Sequence, residues 1–206
     1  MKHTGTPPRK TGRPLSFDRE DVLDKAMRTF WASGYETTSI TDLTAAMGIT
    51  APSLYAAFGN KQQLFLEAMR RYAGDHSVLE RTMADAPTAR DAVAGMLRGA
   101  AILYTGEATP PGCLLASAAA TGSPDATAVR DAVADERRVV RDIVIRRIEA
   151  DIAAGLMPSD TPSARLADLT LAVTQGMSVL ARDGADRDRL LAIAGIATAG
   201  WGVAST

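Results

Sequence analysis

The residues best placed to do chemistry lie between Thr38 and Lys61. Ser39 and Asp42 have the spacing of a capping box, so a short helix starts there. Ile40, Leu43 and Met47 recur on one face of it, and Gly48 stops it. Without a Cβ, Gly48 can take the positive φ that a sharp turn from one helix into another needs. A second short helix then begins at Thr50 and presents Thr50, Ala51, Pro52, Ser53 and Tyr55 near its N-terminal end. Small and polar groups in front of an amide-rich helix end suit entry into a DNA major groove. Lys61 follows at the start of the next helix, where it can meet a phosphate. A small αα-corner in a helical protein has the same spacing, so the pattern alone leaves DNA binding and plain packing both open.

Other chemistries find little support. The chain has only two histidines, His3 and His76, and one cysteine, Cys113. It has no Cys/His metal spacing, no glycine-rich phosphate loop and no serine-hydrolase elbow, so no enzyme, cofactor or metal site is expected. Cys113 follows Pro110-Pro111-Gly112 near a helix start, where the macrodipole favours a thiolate. A lone buried cysteine also serves as a small hydrophobe, and both readings stay open.

Charge is divided along the chain. Residues 1–72 carry ten Lys/Arg against seven Asp/Glu, whereas residues 73–206 carry thirteen Arg against seventeen acids. The first sixteen residues hold Lys2, Arg9, Lys10 and Arg13 with no acid, among several Gly and Pro. They read as a flexible basic arm. Arg13, between Gly12 and Pro14, could enter a narrow minor groove, or the arm could act through its charge alone. A hydrophobic content of 46% is ample for a packed core. No run is apolar enough for a membrane span or a secretory signal, and a single cysteine fits a reducing compartment, so a cytoplasmic location is expected.

These residues must be positioned by helices. No segment alternates apolar and polar residues as a strand does, so the expected class is all-α with about nine helices. They are expected from Asp18 to Gly34, over the two short helices above, and from Asn60 through Tyr72. Further helices are expected over about 88–105, 112–122, 124–154, 162–182 and 186–202. The helix over 124–154 carries the stripe Val129, Val133, Val140, Val144, Ile148, Ile152 with arginine-rich outer faces.

Residues 17 to 66 resemble the DNA-binding domain of TetR-type regulators. The resemblance is carried by Phe30, Gly34-Tyr35, Thr38-Ser39, Gly48-Ile49-Thr50, Ser53-Leu54-Tyr55, Phe58, Asn60-Lys61 and Leu64-Phe65. It implies that Thr38 and Ser39 bond phosphate, that Thr50, Ala51, Pro52 and Ser53 face bases, and that Tyr55 and Lys61 hold phosphates. Many members have His before the phenylalanine. Here Ala57 stands there, which removes one phosphate contact. Readout by Ala51 and Pro52 must be mostly apolar, against thymine methyls.

The expected organisation is therefore a basic arm over 1–16, a helix-turn-helix domain over 17–60, and a ligand-binding and dimerisation domain over 61–206. The resemblance also implies a ligand cavity among the fourth to seventh helices and a homodimer through the last two. Met69, Tyr72, Met96, Leu97, Leu103, Tyr104 and Cys113 are candidate cavity walls, although each alone also suits ordinary core packing. Ala172 and Gly176, and Gly195 and Ala199, are small residues four apart that let helices approach closely. The expected function is a repressor released from palindromic double-stranded operator DNA by an unidentified small molecule.

Overall fold

The structure, a computed structural model, describes residues 17–118 and 126–201. Arg13 and the basic arm, and the expected extension of the short helix to Gly122, lie outside the described residues. Those described form ten α-helices and no strand.

The first four helices are bounded by local signals. Helix α1 (Arg19–Ser33) starts where the Asp18 side chain accepts from the Glu20 and Asp21 N–H groups. It ends at Gly34, whose φ is +86°. Helix α2 (Ile40–Met47) has the full Ser39–Asp42 capping box and stops at Gly48, which is left-handed at φ 69°, ψ 30°. Helix α3 (Ala51–Phe58) is capped by the Thr50 hydroxyl, and α4 (Lys61–Ala73) by the Asn60 side chain. Each cap satisfies amides that the first turn leaves without a helical partner.

The apolar faces of α1–α4 meet in one core. Phe30, Leu43, Leu54, Leu64, Phe65 and Ala68 are fully buried there. The Phe65 ring sits edge-on to Phe30 at 5.2 Å and to Tyr35 at 5.1 Å. This core does not stop at residue 60. It takes in α4 and continues through Leu114, Ala118, Val129 and Val133, from helices far along the chain.

Six helices follow: α5 (His76–Asp85), α6 (Ala89–Tyr104), α7 (Leu114–Ala118), α8 (Thr127–Ala153), α9 (Ser163–Arg182) and α10 (Arg187–Ala199). Helix α5 is the one not expected from the sequence. Gly74, at φ +68°, ends α4, and the Asp75 side chain then accepts from the Ser77 N–H to open a new helix. Only Met83 of α5 is fully buried, so its apolar periodicity is faint.

The second core joins α5, α6, α8, α9 and α10 around residues such as Leu97, Val144, Ile148, Met177 and Leu190. A buried carboxylate ties two of these helices together. Asp151 of α8 accepts from the Ala89 N–H at 2.6 Å, at the start of α6, and pairs with Arg147 at 2.9 Å. Tyr72 and Leu115 pack against both cores. No helix among the described residues is long and apolar enough to cross a membrane.

The outer faces of α9 and α10 are apolar and uncovered. Leu169, Ala172, Gly176 and Val179 are exposed along α9, and Ala192, Gly195, Ile196 and Ala199 along α10. Ile196 is 77% exposed. A Cβ built on Gly176 or Gly195 would meet nothing within 4 Å. Nothing among the described residues requires those two positions to be glycine.

Candidate functional site

The α2–turn–α3 segment is held from within. The Gly48 and Ile49 amides both donate to the Thr44 carbonyl, at 3.0 and 3.2 Å, and Ile49 packs on the first core. Leu54 and Phe58 bury one side of α3. The other side is therefore turned outward, and Pro52, Tyr55 and Ala56 form its exposed face at i, i+3, i+4 spacing. Tyr55 is 48% exposed. Ala51 and Ser53 are half-buried beside them, and Thr50 is exposed with its hydroxyl 2.9 Å from that of Ser53. Ala56, absent from the sequence-based set, belongs to this face by helical position. Helix α3 carries no charged residue at all.

Ser39 and Lys61 flank this helix. The Ser39 hydroxyl donates to Asp42 at 2.7 Å and accepts from the Asp42 N–H at 3.1 Å. Hydrogen bonds from the Ser39 side chain and backbone hold the Asp42 carboxyl below its usual range, and Lys61 adds to the effect. A fixed negative charge thus already sits at the α2 N-terminus, which lowers that end's attraction for a phosphate. Lys61 lies 4.6 Å over the Tyr35 ring and donates to the Glu36 carbonyl at 3.3 Å. Its partial burial pushes its pKa down, against the pull of Glu36 and Asp42. The ammonium is held in one place rather than left to swing.

Thr38 requires a correction. It is 1% exposed, and its hydroxyl donates to the Gly34 carbonyl at 2.6 Å. Its side chain serves the turn after α1 and does not reach the surface where a phosphate would lie.

A cavity of about 220 Å³ opens where the two cores meet. Tyr72, Met96, Leu103, Tyr104 and Cys113 line it. Met69 and Leu97 do not. Met69 is buried in the first core and Leu97 in the second, because their helix faces turn toward neighbouring helices and away from the opening. The sequence reading missed most polar walls: His76, Glu136, Arg137, Thr174 and Gln175. Arg137 departs from the expected solvent-facing arginines of its helix. It donates to the Leu115 carbonyl at 3.2 Å and to Gln175 at 3.1 Å. His76 pairs with Glu136 at 2.8 Å. These residues come from three helices far apart in the chain, so no local spacing signalled that they meet.

The Tyr72 hydroxyl donates to the Cys113 sulfur at 3.4 Å, and Tyr104 lines the same cavity. Burial first, and the neighbouring thiol second, push both phenols well above their ordinary pKa, so both stay protonated. From there a short chain of contacts leads to α1. Tyr72 meets Trp31 edge-on at 4.8 Å, and the Trp31 indole donates to the Gly112 carbonyl at 3.0 Å. Arg182 of α9 donates to the Trp31 carbonyl at 2.7 Å. Gly112, at φ +80°, has no room for a side chain, because a Cβ would lie 2.8 Å from the Ser178 carbonyl.

Comparison with known proteins bears on this arrangement. Residues 22–68 match the family model described as bacterial regulatory proteins, tetR family. The HTH-type transcriptional repressor ComR of Escherichia coli (strain K12) is 35% identical over 198 residues, covering 92% of this chain and 91% of that one. The HTH-type transcriptional repressor BdcR of the same organism is 28% identical over 196 residues, with the same coverage. Among solved structures, a cysteine mutant of the TetR family transcriptional regulator CifR, complexed with 26bp double-strand operator DNA, is 42% identical. It superposes with a TM-score of 0.87 over 92% of this chain and 100% of that one. With a capped, glycine-turned helix pair at one end, a cavity behind it and relatives matched over nearly their full length, the chain belongs to the TetR family of bacterial transcriptional regulators.

Proposed function

We propose that this protein is a homodimeric repressor that binds a palindromic operator through α3 and is released by a small molecule in the cavity. The observation that carries the reading is the outward face of α3 behind the Gly48 turn, in a chain 42% identical to a regulator seen on operator DNA. Ala51, Pro52 and Ser53 would meet base edges, mainly thymine methyls, with Thr50 at the helix start. Ser39, Tyr55 and Lys61 would hold phosphates and set the register without reading sequence. Arg13 would add a minor-groove or purely electrostatic contact from the arm. Residues 38–61 carry one acid, Asp42, and one base, Lys61, so most of the salt-dependent attraction has to come from elsewhere, and the arm's four cations, with no acid among them, would supply part of it.

The dimer would form through the exposed apolar faces of α9 and α10. An internal helix glycine costs about 1 kcal/mol relative to alanine. Gly176 and Gly195 become intelligible if a partner helix packs directly over them. The two copies of α3 would then address half-sites about 34–36 Å apart, or a multiple of that. A ligand in the cavity touches Tyr72, at the end of α4, and Cys113, next to the Gly112 turn that holds Trp31. Either contact would shift the α1–α4 unit against the dimer body and spoil the half-site spacing.

The test is a gel-shift with the DNA upstream of the protein's own gene, over a salt series. Specific binding that weakens linearly with log salt is expected. Equal affinity for that DNA and for random DNA would sink the reading.

A further inference from the structure

The charges around the cavity are not evenly satisfied. The carboxylate of Glu136 is paired with His76, and that of Asp75 is taken up by the Ser77 amide and hydroxyl at the start of α5. Farther along α8, each arginine has a carboxylate: Arg138 pairs with Asp135, Arg141 with Asp168, Arg146 with Glu80 and Arg147 with Asp151. Arg137 differs. Among the described residues it has no ion-pair partner, only the neutral oxygens of Leu115 and Gln175. Its Nε is buried without an acceptor, as is that of the paired Arg147, so the missing counter-charge alone sets Arg137 apart. A half-buried cation without a counter-charge gains from an anion placed against it.

Resting on the reading of this cavity as the effector site, we propose that it binds a compact organic monocarboxylate, with the carboxylate on Arg137. The guanidinium is a planar fork of donors that matches two carboxylate oxygens. The remaining walls offer Met96, Leu103, Tyr104, Val140 and Leu171 to a short apolar or aromatic body. A volume of about 220 Å³ lies below the range of drug-sized pockets, which limits that body to roughly a single ring or a short alkyl chain. One unpaired cation beside the carboxylates of Glu136 and Asp75 suits a single negative charge, and a dianion such as phosphate would leave one charge facing them.

The test uses the purified full-length protein and three acids, benzoate, phenylacetate and hexanoate, each beside its own uncharged amide. Calorimetric titration and thermal shift read binding without DNA. The acids bind and raise Tm, and each amide binds at least about tenfold more weakly, because it lacks the charge-assisted fork. R137Q brings acid and amide to parity, while R137K keeps part of the preference through its charge. Amides binding as well as acids, no acid binding at all, or an undiminished preference in R137Q overturns the proposal. The acid–amide comparison in the wild-type protein decides the matter even if R137Q fails to fold. Operator affinity without ligand is measured separately. Acid binding in a protein that ignores its upstream DNA sinks the repressor reading and leaves this one. Specific DNA binding with indifference to all three acids does the reverse.

Discussion

The α1–α4 unit and the bundle behind it differ in how their longest helices begin. In the first, every helix is opened by a side-chain cap within its own first turn: Asp18, Ser39, Thr50 and Asn60. In the second, Asp75, Thr88 and Asp186 cap α5, α6 and α10 in the same way, but the two longest helices, α8 and α9, have no side-chain cap hydrogen bond. They are held by burial and by ion pairs to other helices, such as Arg141–Asp168 and Arg146–Glu80. A short helix has few residues to bury and needs its ends satisfied locally, whereas a long one gains most of its stability from its packed face. The difference leaves the bundle free to carry a cavity with polar walls, while the front unit keeps one rigid outward surface.

The largest expected effect tests whether these two regions unfold as one. Phe65→Ala removes a fully buried ring between Phe30 and Tyr35, at about 3–5 kcal/mol. Because the first core runs on through Leu114, Val129 and Val133, helicity and tryptophan fluorescence should be lost in a single, earlier transition. Two separated transitions, with the later one unmoved, would mean that the two regions are independent folding units.

Next comes the pair that ties α6 to α8. Asp151→Asn keeps an acceptor for the Ala89 amide but leaves Arg147 without its charge partner, at about 3 kcal/mol in urea unfolding. Specific DNA binding below the transition should be unchanged, since neither residue lies near α3. A mutant as stable as wild type would show that packing alone holds the bundle.

A smaller change has a sign that decides something. If the α10 face met only water, Gly195→Ala would stabilise the helix by up to about 1 kcal/mol. If a partner helix packs there, the added methyl should instead weaken the dimer, read as a shift toward monomer in sedimentation. A more stable and equally dimeric variant would move the dimer contact away from Gly195.

The smallest effects separate structure from DNA contact inside the front unit. Thr38→Val should cost about 1 kcal/mol of stability by removing the bond to the Gly34 carbonyl, with no change in the salt slope of DNA binding. Lys61→Ala should do the converse, reducing that slope by about one with little loss of stability. Burial lowers the Lys61 pKa, so its positive charge is lost earlier than that of an ordinary lysine as pH rises. DNA affinity should fall in that alkaline window in the wild type and stay flat in the alanine variant. A salt slope reduced by Thr38→Val would restore that residue to the DNA surface.

The amino-acid sequence by itself determined the all-helical class, the short helix, glycine turn and short helix around Gly48, and the outward placement of Pro52 and Tyr55. Those features rest on interactions spanning three or four residues, such as Ser39 with Asp42 and Thr50 with Ser53, which spacing alone reveals. Tertiary structure decided the rest. Thr38 looked like a surface hydroxyl next to Ser39, yet the turn after α1 swings it inward onto Gly34. Helix α5 escaped notice because a helix with one fully buried residue leaves almost no apolar period. The cavity was the least legible part. Its walls come from six helices, and whether Arg137 faces solvent or the cavity depends on where α7 and α9 place the Leu115 carbonyl and Gln175. A charge on a helix can be read from one line of sequence, but the partner it lacks becomes visible only once every other helix has packed around it.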